Sequence, residues 1–324
     1  MSPRGNPLPL IDGHVDLLYM MRRKWPGRHF AELNEGEVTP LGLEEGNVRV
    51  LVSAFYCEDT HNGPGRSLPH LQELLHYAEH YLSELPVIRS REDLNDCMEG
   101  AGGPGALNLL ENADALADDI AFDLKGRGFV AAGLTHAGRN RLGDGNGVAS
   151  PEGLTPMGRQ VARALNRQGV VLDVAHLAEP CFWDVMDLFD GALISSHTGF
   201  RRFCDMPRNL SNEQVKILMA RHGTVGVSVN PEMLTPDGSA TIRDVFEQVD
   251  GLVQKYGFRG VALGSDFGGF DGENEGLEHM GRLQDLAELL SRQGYPDPSI
   301  AAILGENWYQ LYSSMLPSPD PPRS

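Results

Sequence analysis

Short apolar runs rich in β-branched residues alternate with longer amphipathic stretches along most of the chain. Most runs follow a glycine at the end of a helical pattern, where helices commonly stop. The runs predict eight strands, at Leu8–His14, Val48–Phe55, Gly105–Glu111, Gly128–His136, Gly169–His176, Gly191–His197, Gly223–Asn230 and Gly260–Asp266. The amphipathic stretches predict helices at Pro69–Leu85, Ala113–Leu124, Pro156–Arg167, Glu179–Phe189, Asn212–Arg221, Ile242–Tyr256, Met280–Arg292 and Asp297–Ser313.

This alternation of strands and helices is typical of parallel βαβ units, and eight of them predict an α/β protein with a (β/α)₈ TIM barrel. We expect one metallohydrolase domain over residues 1–315 and a mobile, proline-rich tail over residues 316–324, which has nothing to pack against. Segments that leave strands are longer than those that enter them, as expected when a barrel carries its active site at one rim. The long segments are Tyr56–Leu68, Ala137–Leu154, Thr198–Leu210 and Gly268–His279.

Nearly every predicted strand ends in a side chain that can bind a metal ion or transfer a proton. These side chains are His14, Asp16, Glu111, His136, His176, His197 and Asp266. They should converge, because the carboxyl ends of all barrel strands meet at one mouth. His14 and Asp16 lie two residues apart and would point to the same face of a continuing strand.

A buried group of carboxylates and imidazoles is unstable unless cations neutralise the acids, which favours a metal site. The absence of thiolates from the group suits Zn²⁺ best and leaves Mn²⁺, Fe²⁺ and Co²⁺ compatible. None of the four lysines ends a predicted strand, so a carbamylated lysine cannot bridge two ions here. Glu111 is the only glutamate that ends one and is the best candidate for a bridging carboxylate. The alternative is that Glu111 only stabilises the start of a helix.

Composition limits the partners of the protein. Its 324 residues include 45 acidic and 27 basic side chains, and the resulting net charge of −18 repels nucleic acid and anionic membranes. We identify neither a signal-peptide core nor a membrane-spanning run. The four cysteines are scattered and fit neither a zinc knuckle nor a disulfide framework. We therefore expect a cytoplasmic protein with a small-molecule substrate, and a homodimer is compatible with the sequence.

From about Ile11 to about Tyr312 the chain resembles the renal (membrane) dipeptidase family of the metal-dependent amidohydrolase superfamily. The resemblance lies in the order and spacing of several motifs, since no single motif carries it. The matching segments are IDGHVDL, LLENADAL, GLTHAGRN, GLTPMGRQVARALNRQGVVLDVAH, ISSHTGFR, RNLS, GSDFGG and GENWYQ.

The resemblance implies two divalent metal ions. In it, His14, Asp16 and Glu111 hold one ion, and Glu111, His176 and His197 hold the second. A hydroxide that bridges the ions would then attack the amide bond of a dipeptide.

Three further roles follow from the same resemblance. Asp266 lies beside the first ion and passes a proton to the leaving amine, and His136 contacts the scissile region and stabilises the oxyanion. Arg201 binds the terminal carboxylate of the substrate, a role that suits its forked guanidinium. These assignments predict a binuclear metallo-dipeptidase.

The sequence departs from the family pattern at four positions, which are Val15, Asn112, Ala175 and Asn230. Asn230 replaces an aromatic residue of some members and is expected to shape the substrate-binding site. Alternative functions are therefore the hydrolysis of another small amide or ester, such as an N-acyl amino acid or a biosynthetic intermediate, or a catalytically inactive metal-binding barrel. A deaminase is disfavoured, because those relatives open with HxH in place of HxD.

Overall fold

Eight parallel strands lie side by side in the order in which they occur along the chain. They are β1 (Leu10–Val15), β2 (Val48–Tyr56), β3 (Gly105–Glu111), β4 (Phe129–Gly133), β5 (Val171–Asp173), β6 (Leu193–Thr198), β7 (Thr224–Val227) and β8 (Val261–Leu263). Backbone hydrogen bonds from Asp266 to His14 (3.0 Å) and from Asp16 to Phe267 (2.9 Å) join the last strand to the first. The computed structural model, which describes residues 7–318, thus confirms the predicted (β/α)₈ barrel.

Helices surround the strands. They are α1 (Leu17–Lys24), α2 (Pro40–Glu45), α3 (Ser67–Tyr81), α4 (Arg91–Glu99), α5 (Pro156–Gln168), α6 (Glu179–Leu188), α7 (Asn212–Ala220), α8 (Pro231–Leu234), α9 (Ile242–Tyr256), α10 (Leu283–Arg292), α11 (Asp297–Ala301) and α12 (Asn307–Met315). Local signals fix several ends: the Thr155 side chain accepts a hydrogen bond from Gly158 at the start of α5, and Gly169 ends this helix with a positive φ. Within residues 7–318, no helix is long and apolar enough to cross a membrane.

The predicted helix Ala113–Leu124 is wrong, because only a short 3₁₀ turn forms, over Ala113–Ala117. Asn112 precedes this turn with a φ of +66°. The Asp114 carboxylate accepts backbone hydrogen bonds from Gly63 (2.8 Å) and Arg141 (2.9 Å). Contacts with two distant loops therefore override the local helical pattern.

Other predicted boundaries also shift. Strands β4, β5, β7 and β8 end about three residues before their predicted ends, so the polar residues lie on the loops that follow. Helices α1, α2, α4 and α8 were not predicted. At the start of the predicted tail, Leu316 is buried and the Pro317 carbonyl accepts a hydrogen bond from Arg91, so these two residues do pack. Residues 319–324 of the tail lie outside the described residues.

An apolar cluster closes one end of the barrel. Trp308 and Tyr312 of α12 are fully buried in an apolar cluster with alternate residues of β2 and β3. The Trp308 indole donates a hydrogen bond to the Leu263 carbonyl (2.7 Å). A Cβ atom at Gly13 would lie 2.3 Å from the same indole, so only glycine fits there. The polar cluster described below lies at the other end, where the strands terminate.

Candidate active site

Six of the predicted side chains meet at the carboxyl ends of the strands. His176 Nε2 lies 2.9 Å from Glu111 Oε1, which is also 3.9 Å from the Nε2 atom of His14. Two triplets each place their donor atoms within 4.8 Å of one another. The first triplet is His14, Asp16 and Asp266, and the second is Glu111, His176 and His197. All six side chains are largely buried.

The donor atoms are arranged for binding divalent metal ions and make few hydrogen bonds with one another. Buried His14 Nε2 and Asp16 Oδ1 have no hydrogen-bond partner among the described residues. His176 Nε2 and His197 Nε2 lie only 3.0 Å apart. Two ligands of one tetrahedral zinc ion lie about 3.3 Å apart, given Zn–N bonds of about 2.0–2.1 Å. The spacing is therefore that of ligands that share an ion.

A hydroxyl group behind the cluster orients two of the imidazoles. Ser196 Oγ lies 3.1 Å from His14 Nδ1 and 2.9 Å from His197 Nδ1, and its own hydrogen is directed to Asp173 Oδ2 at 2.5 Å. Because that hydrogen is used, both rings must donate from Nδ1 to Ser196. This tautomer leaves both Nε2 lone pairs facing the centre of the cluster, as metal-binding histidines require.

The electrostatics of the cluster also favour cations. Burial raises the pKa of the Asp266 carboxyl to about 7, and the Asp16 carboxylate adds to this rise. Burial raises the pKa of Asp16 as well. Burial, and to a smaller extent the charge of the Arg208 guanidinium, holds the pKa of His176 well below its usual range. The imidazole is therefore neutral and able to act as a ligand, while the carboxylates need a positive partner.

The backbone is unusual where two of these side chains are presented. His176 has a φ of +62° and Asp266 a φ of +70°, a conformation that non-glycine residues rarely adopt. Such strain persists when the surrounding structure imposes it, and it is concentrated at functional sites. Gly269 approaches the acids so closely that a Cβ atom there would lie 2.3 Å from Asp16 Oδ2.

His136 lies beside the cluster and is held by two residues that the sequence did not single out. Its Nδ1 atom is 3.1 Å from Asp59 Oδ2 and 3.2 Å from the Tyr56 hydroxyl. Burial alone would lower the pKa of His136, but the hydrogen bond that the ring donates to the Asp59 carboxylate and the negative charge of Glu111 reverse this and raise it. In the sequence, Asp59 lies three residues after the end of β2 and next to another acidic residue, Glu58, so no spacing rule singled it out.

Several residues of the cluster, together with His136 and Tyr56, line a cavity of about 210 Å³. Asn230 lies on its wall and donates a hydrogen bond from Nδ2 to Asp266 Oδ2 (3.1 Å). The cavity lining comprises Asp16, Tyr19, Tyr56, Glu111, His136, His176, Met206, Arg208, Asn230, Glu232, Met233, Asp266 and Gly269.

Arg201 is not brought into this cavity. Its guanidinium pairs with Glu179 (2.9 Å) and donates to the Asn209 carbonyl (3.0 Å), at the wall of a neighbouring cavity. Arg208 does line this cavity, with Nη2 3.2 Å from His176 Nε2 and 3.1 Å from the His197 carbonyl oxygen. In the sequence, Arg208 begins the RNLS segment. That segment has no periodic pattern, so the sequence did not indicate that Arg208 faces the cavity.

Comparisons with known proteins agree with this architecture. Residues 6–315 match the family described as membrane dipeptidase (peptidase family M19). The chain is 30% identical over 256 residues to the "Uncharacterized protein in pqqA 5'region" of Klebsiella pneumoniae, covering 72% of this chain and 88% of that one. It is 27% identical over 324 residues to dipeptidase aclJ of Aspergillus oryzae, covering 93% and 76%. Alignments with two further dipeptidases cover only 42% and 46% of those proteins.

A solved structure shows the same fold. The metallopeptidase of Rhodobacter sphaeroides, liganded with a phosphinate mimic of the dipeptide L-Ala-D-Ala, superposes with a TM-score of 0.86 at 23% sequence identity. The superposition covers 96% of this chain and all of that one. The superposition supports the fold, and the family match over residues 6–315 assigns the protein to the membrane dipeptidase family, peptidase family M19.

Proposed function

We propose that this protein is a metal-dependent dipeptidase that hydrolyses the amide bond of a dipeptide with the help of two divalent ions, preferably Zn²⁺. The observation that carries the proposal is the pair of donor triplets around Glu111, at the base of a cavity that also contains an arginine and a histidine. His14, Asp16 and Asp266 would hold one ion, and His176 and His197 the other.

Glu111 is the proposed bridge between the two sites. Its Oε1 atom lies 2.9 Å from His176 Nε2 and 3.9 Å from both His14 Nε2 and His197 Nε2. When bound, two such ions supply a water of lowered pKa as the nucleophile and polarise the scissile carbonyl. The protein itself must then bind the substrate, orient it and transfer protons.

Arg208 is the proposed binding group for the terminal carboxylate of the substrate. It lies on the cavity wall beside His176, and a guanidinium can accept a carboxylate through two parallel hydrogen bonds. Arg201 is engaged with Glu179 and is no longer the preferred candidate.

Two residues are proposed to handle protons and developing charge. Nδ1 of His136 donates to Asp59, and the raised pKa of the ring favours its protonated form, which can also donate from Nε2 to the oxygen of the scissile carbonyl. Asp266 is placed to pass a proton to the leaving amine, and the Asn230 amide orients it.

The cavity volume supports a small substrate. About 210 Å³ is less than the ~300–1,000 Å³ of typical pockets for drug-sized ligands. A dipeptide or a compound of similar size fits this limit. Another small amide or ester would fit as well, so the proposal is tested against that class.

The experiment removes metal from the purified protein with a chelator, restores Zn²⁺, Mn²⁺ or Co²⁺, and compares substrates. The panel contains L,L-, L,D- and glycyl dipeptides together with N-acetyl amino acids and simple esters. We expect metal-dependent hydrolysis of free dipeptides with the highest kcat/KM. Selective hydrolysis of N-acetyl amino acids or esters would replace the dipeptidase proposal with the broader amidohydrolase function. A metal-bound protein that hydrolyses none of these substrates would favour an inactive barrel.

A further inference from the structure

A second group of potential ligands lies outside the cavity, where β2 leads into α3. Glu58 and His61 belong to the turn after β2, and His70 lies in the first half of α3. His70 Nε2 lies 3.4 Å from Glu58 Oε2, and His61 Nε2 lies 4.0 Å from the same oxygen. One donor atom from each residue lies within 4.8 Å of the other two.

His70 is the anomalous member of this group. Its side chain is only 1% exposed, and neither ring nitrogen has a hydrogen-bond partner among residues 7–318. A buried polar side chain without partners is destabilising, and most such side chains in proteins are satisfied. The imidazole is aimed at the carboxylate of Glu58, at the distance that separates two ligands of one zinc ion, which is about 3.3 Å.

The surroundings favour a ligand role for Nε2. The opposite nitrogen, Nδ1, faces the Glu73 carboxylate at 3.8 Å. A carboxylate behind a histidine is the usual arrangement that fixes the tautomer of a metal ligand. Glu73 is also held by Arg22, through a hydrogen bond of 2.8 Å.

We propose that Glu58, His61 and His70 form an accessory Zn²⁺ site, separate from the catalytic centre and independent of the proposed function. Two imidazoles and one carboxylate are a known ligand set for zinc, with the fourth position left to water. The His61 and His70 rings are stacked, with centroids 3.8 Å apart. Both cannot point their lone pairs at one ion in that arrangement, so His61, whose side chain is 43% exposed, must turn when zinc binds.

A zinc ion at this site would hold the turn after β2, which also contains Asp59, the residue that contacts His136. Asp59, which holds His136, lies between Glu58 and His61 in the chain. A zinc ion that ties this turn to α3 therefore also fixes the residue that orients His136.

The test is a count of zinc ions per chain by elemental analysis, after the full-length protein is equilibrated with Zn²⁺ and separated from excess metal. The variants are H61A and E58Q, both at partly exposed positions. The matched control is H76A, which removes an exposed histidine of the same helix outside the cluster. We expect H61A and E58Q to bind one zinc ion fewer than the wild type and H76A.

The comparison is repeated in an E111Q background, in which the proposed catalytic centre is impaired. A loss of one further ion in H61A there would show that the accessory site exists whatever the fate of the dipeptidase proposal. Equal zinc contents of the wild type, H61A and E58Q would overturn the proposal. So would a matching loss in H76A, because the zinc would then be bound by surface histidines in general.

Discussion

Arg208 and Arg201 lie on one loop but have different surroundings. Arg208 lies against His176 at the wall of the cavity, whereas Arg201 is paired with the partly exposed Glu179. A pair with an exposed acid is worth little, about 0–1 kcal/mol. The buried Arg208, beside the proposed metal ligands, is therefore our candidate for distinguishing substrates by charge.

We predict that Arg208→Ala lowers kcat/KM for free dipeptides by about 10–150-fold, because a charge-assisted hydrogen bond contributes about 1.5–3 kcal/mol. Dipeptide amides, which lack the terminal charge, should be affected far less. Lysine should restore only part of the loss, since a point charge cannot replace the fork. Steady-state kinetics on paired acids and amides measure both effects.

Arg201→Ala is the matched control and should leave both kcat/KM values nearly unchanged. A larger loss in Arg201→Ala than in Arg208→Ala would return the carboxylate-binding role to Arg201. Metal content should be equal in both variants, because neither side chain is a proposed ligand.

At individual positions, sequence reasoning locates a residue correctly where its place in the structure follows from its place on a strand. His14, Glu111 and His197 lie within strands, so their convergence follows from the barrel alone. Arg201 and Arg208 lie on a loop, whose course is set by contacts such as the hydrogen bonds from Asn209 to the Cys204 and Met233 carbonyls. No spacing rule can tell which of the two arginines turns inward.

At the scale of elements, the segment after β3 forms no long helix and is held instead by ion pairs to Arg141, chiefly that of Asp114. The Asp114 carboxylate is fully buried and contacts the Arg141 guanidinium at 2.8 Å. Burial alone would raise the pKa of Asp114, but the hydrogen bonds from Arg141 and from backbone N–H groups hold it below its usual value. The pair therefore links the loop after β4 to the segment after β3.

Asp114→Asn should destabilise the protein by about 3 kcal/mol at pH 7, because it leaves a partly buried guanidinium without its main partner. Since the folded pKa is depressed, this contribution is present in full above the unfolded value of about 3.9 and is lost as the pH falls through the folded pKa. The stability difference should thus be constant from pH 7 to about 5 and shrink at lower pH.

Urea unfolding of both proteins across this pH range measures the difference. Asp118→Asn removes the more exposed partner of the same arginine and should cost less than about 1 kcal/mol. A difference for Asp114→Asn that grows on acidification would contradict the role given to its ionised form.

The success of element prediction depends on where the determining contacts lie. The bounds of β3 and α9 match their predictions, because glycine, capping residues and apolar spacing at each end are local signals. The Ala113–Leu124 pattern has helical spacing, but the Asp114 carboxylate accepts hydrogen bonds from the backbone of Gly63 and Arg141. Those partners are distant in sequence, so a local pattern cannot reveal them.

For the whole molecule, the number and order of strands follow from their alternation with helices. The contacts that close the predicted barrel join the two ends of the chain: a backbone hydrogen bond links His14 to Asp266, and Trp308 of α12 packs against Gly13 of β1. The motifs at both positions were recognised, but only as parts of a family pattern.

Removal of metal should lower the melting temperature of the whole barrel. The proposed ligands, which lie in or directly after five different strands, lose the ions that link them, and the buried carboxylates are left without compensation. At a zinc concentration of about 1,000 times Kd, binding stabilises the fold by about 4 kcal/mol, which corresponds to a shift of about 10 °C or less.

Calorimetry with and without a chelator, followed by restoration of Zn²⁺, measures this shift. Mg²⁺ serves as the control, since its preference for oxygen ligands and octahedral geometry suits this site poorly. An unchanged melting temperature after complete metal removal would contradict the proposal that the ions are bound within the core.

The closure between β8 and β1 also has a consequence for biosynthesis. His14 and Asp16 leave the ribosome first, but Asp266 and the Trp308 that supports Gly13 are translated only near the end. During most of its synthesis, the nascent chain therefore contains His14 and Asp16 but not Asp266, the third member of their triplet. The proposed site of His14, Asp16 and Asp266 can therefore be completed only after the last strand of the barrel has been translated.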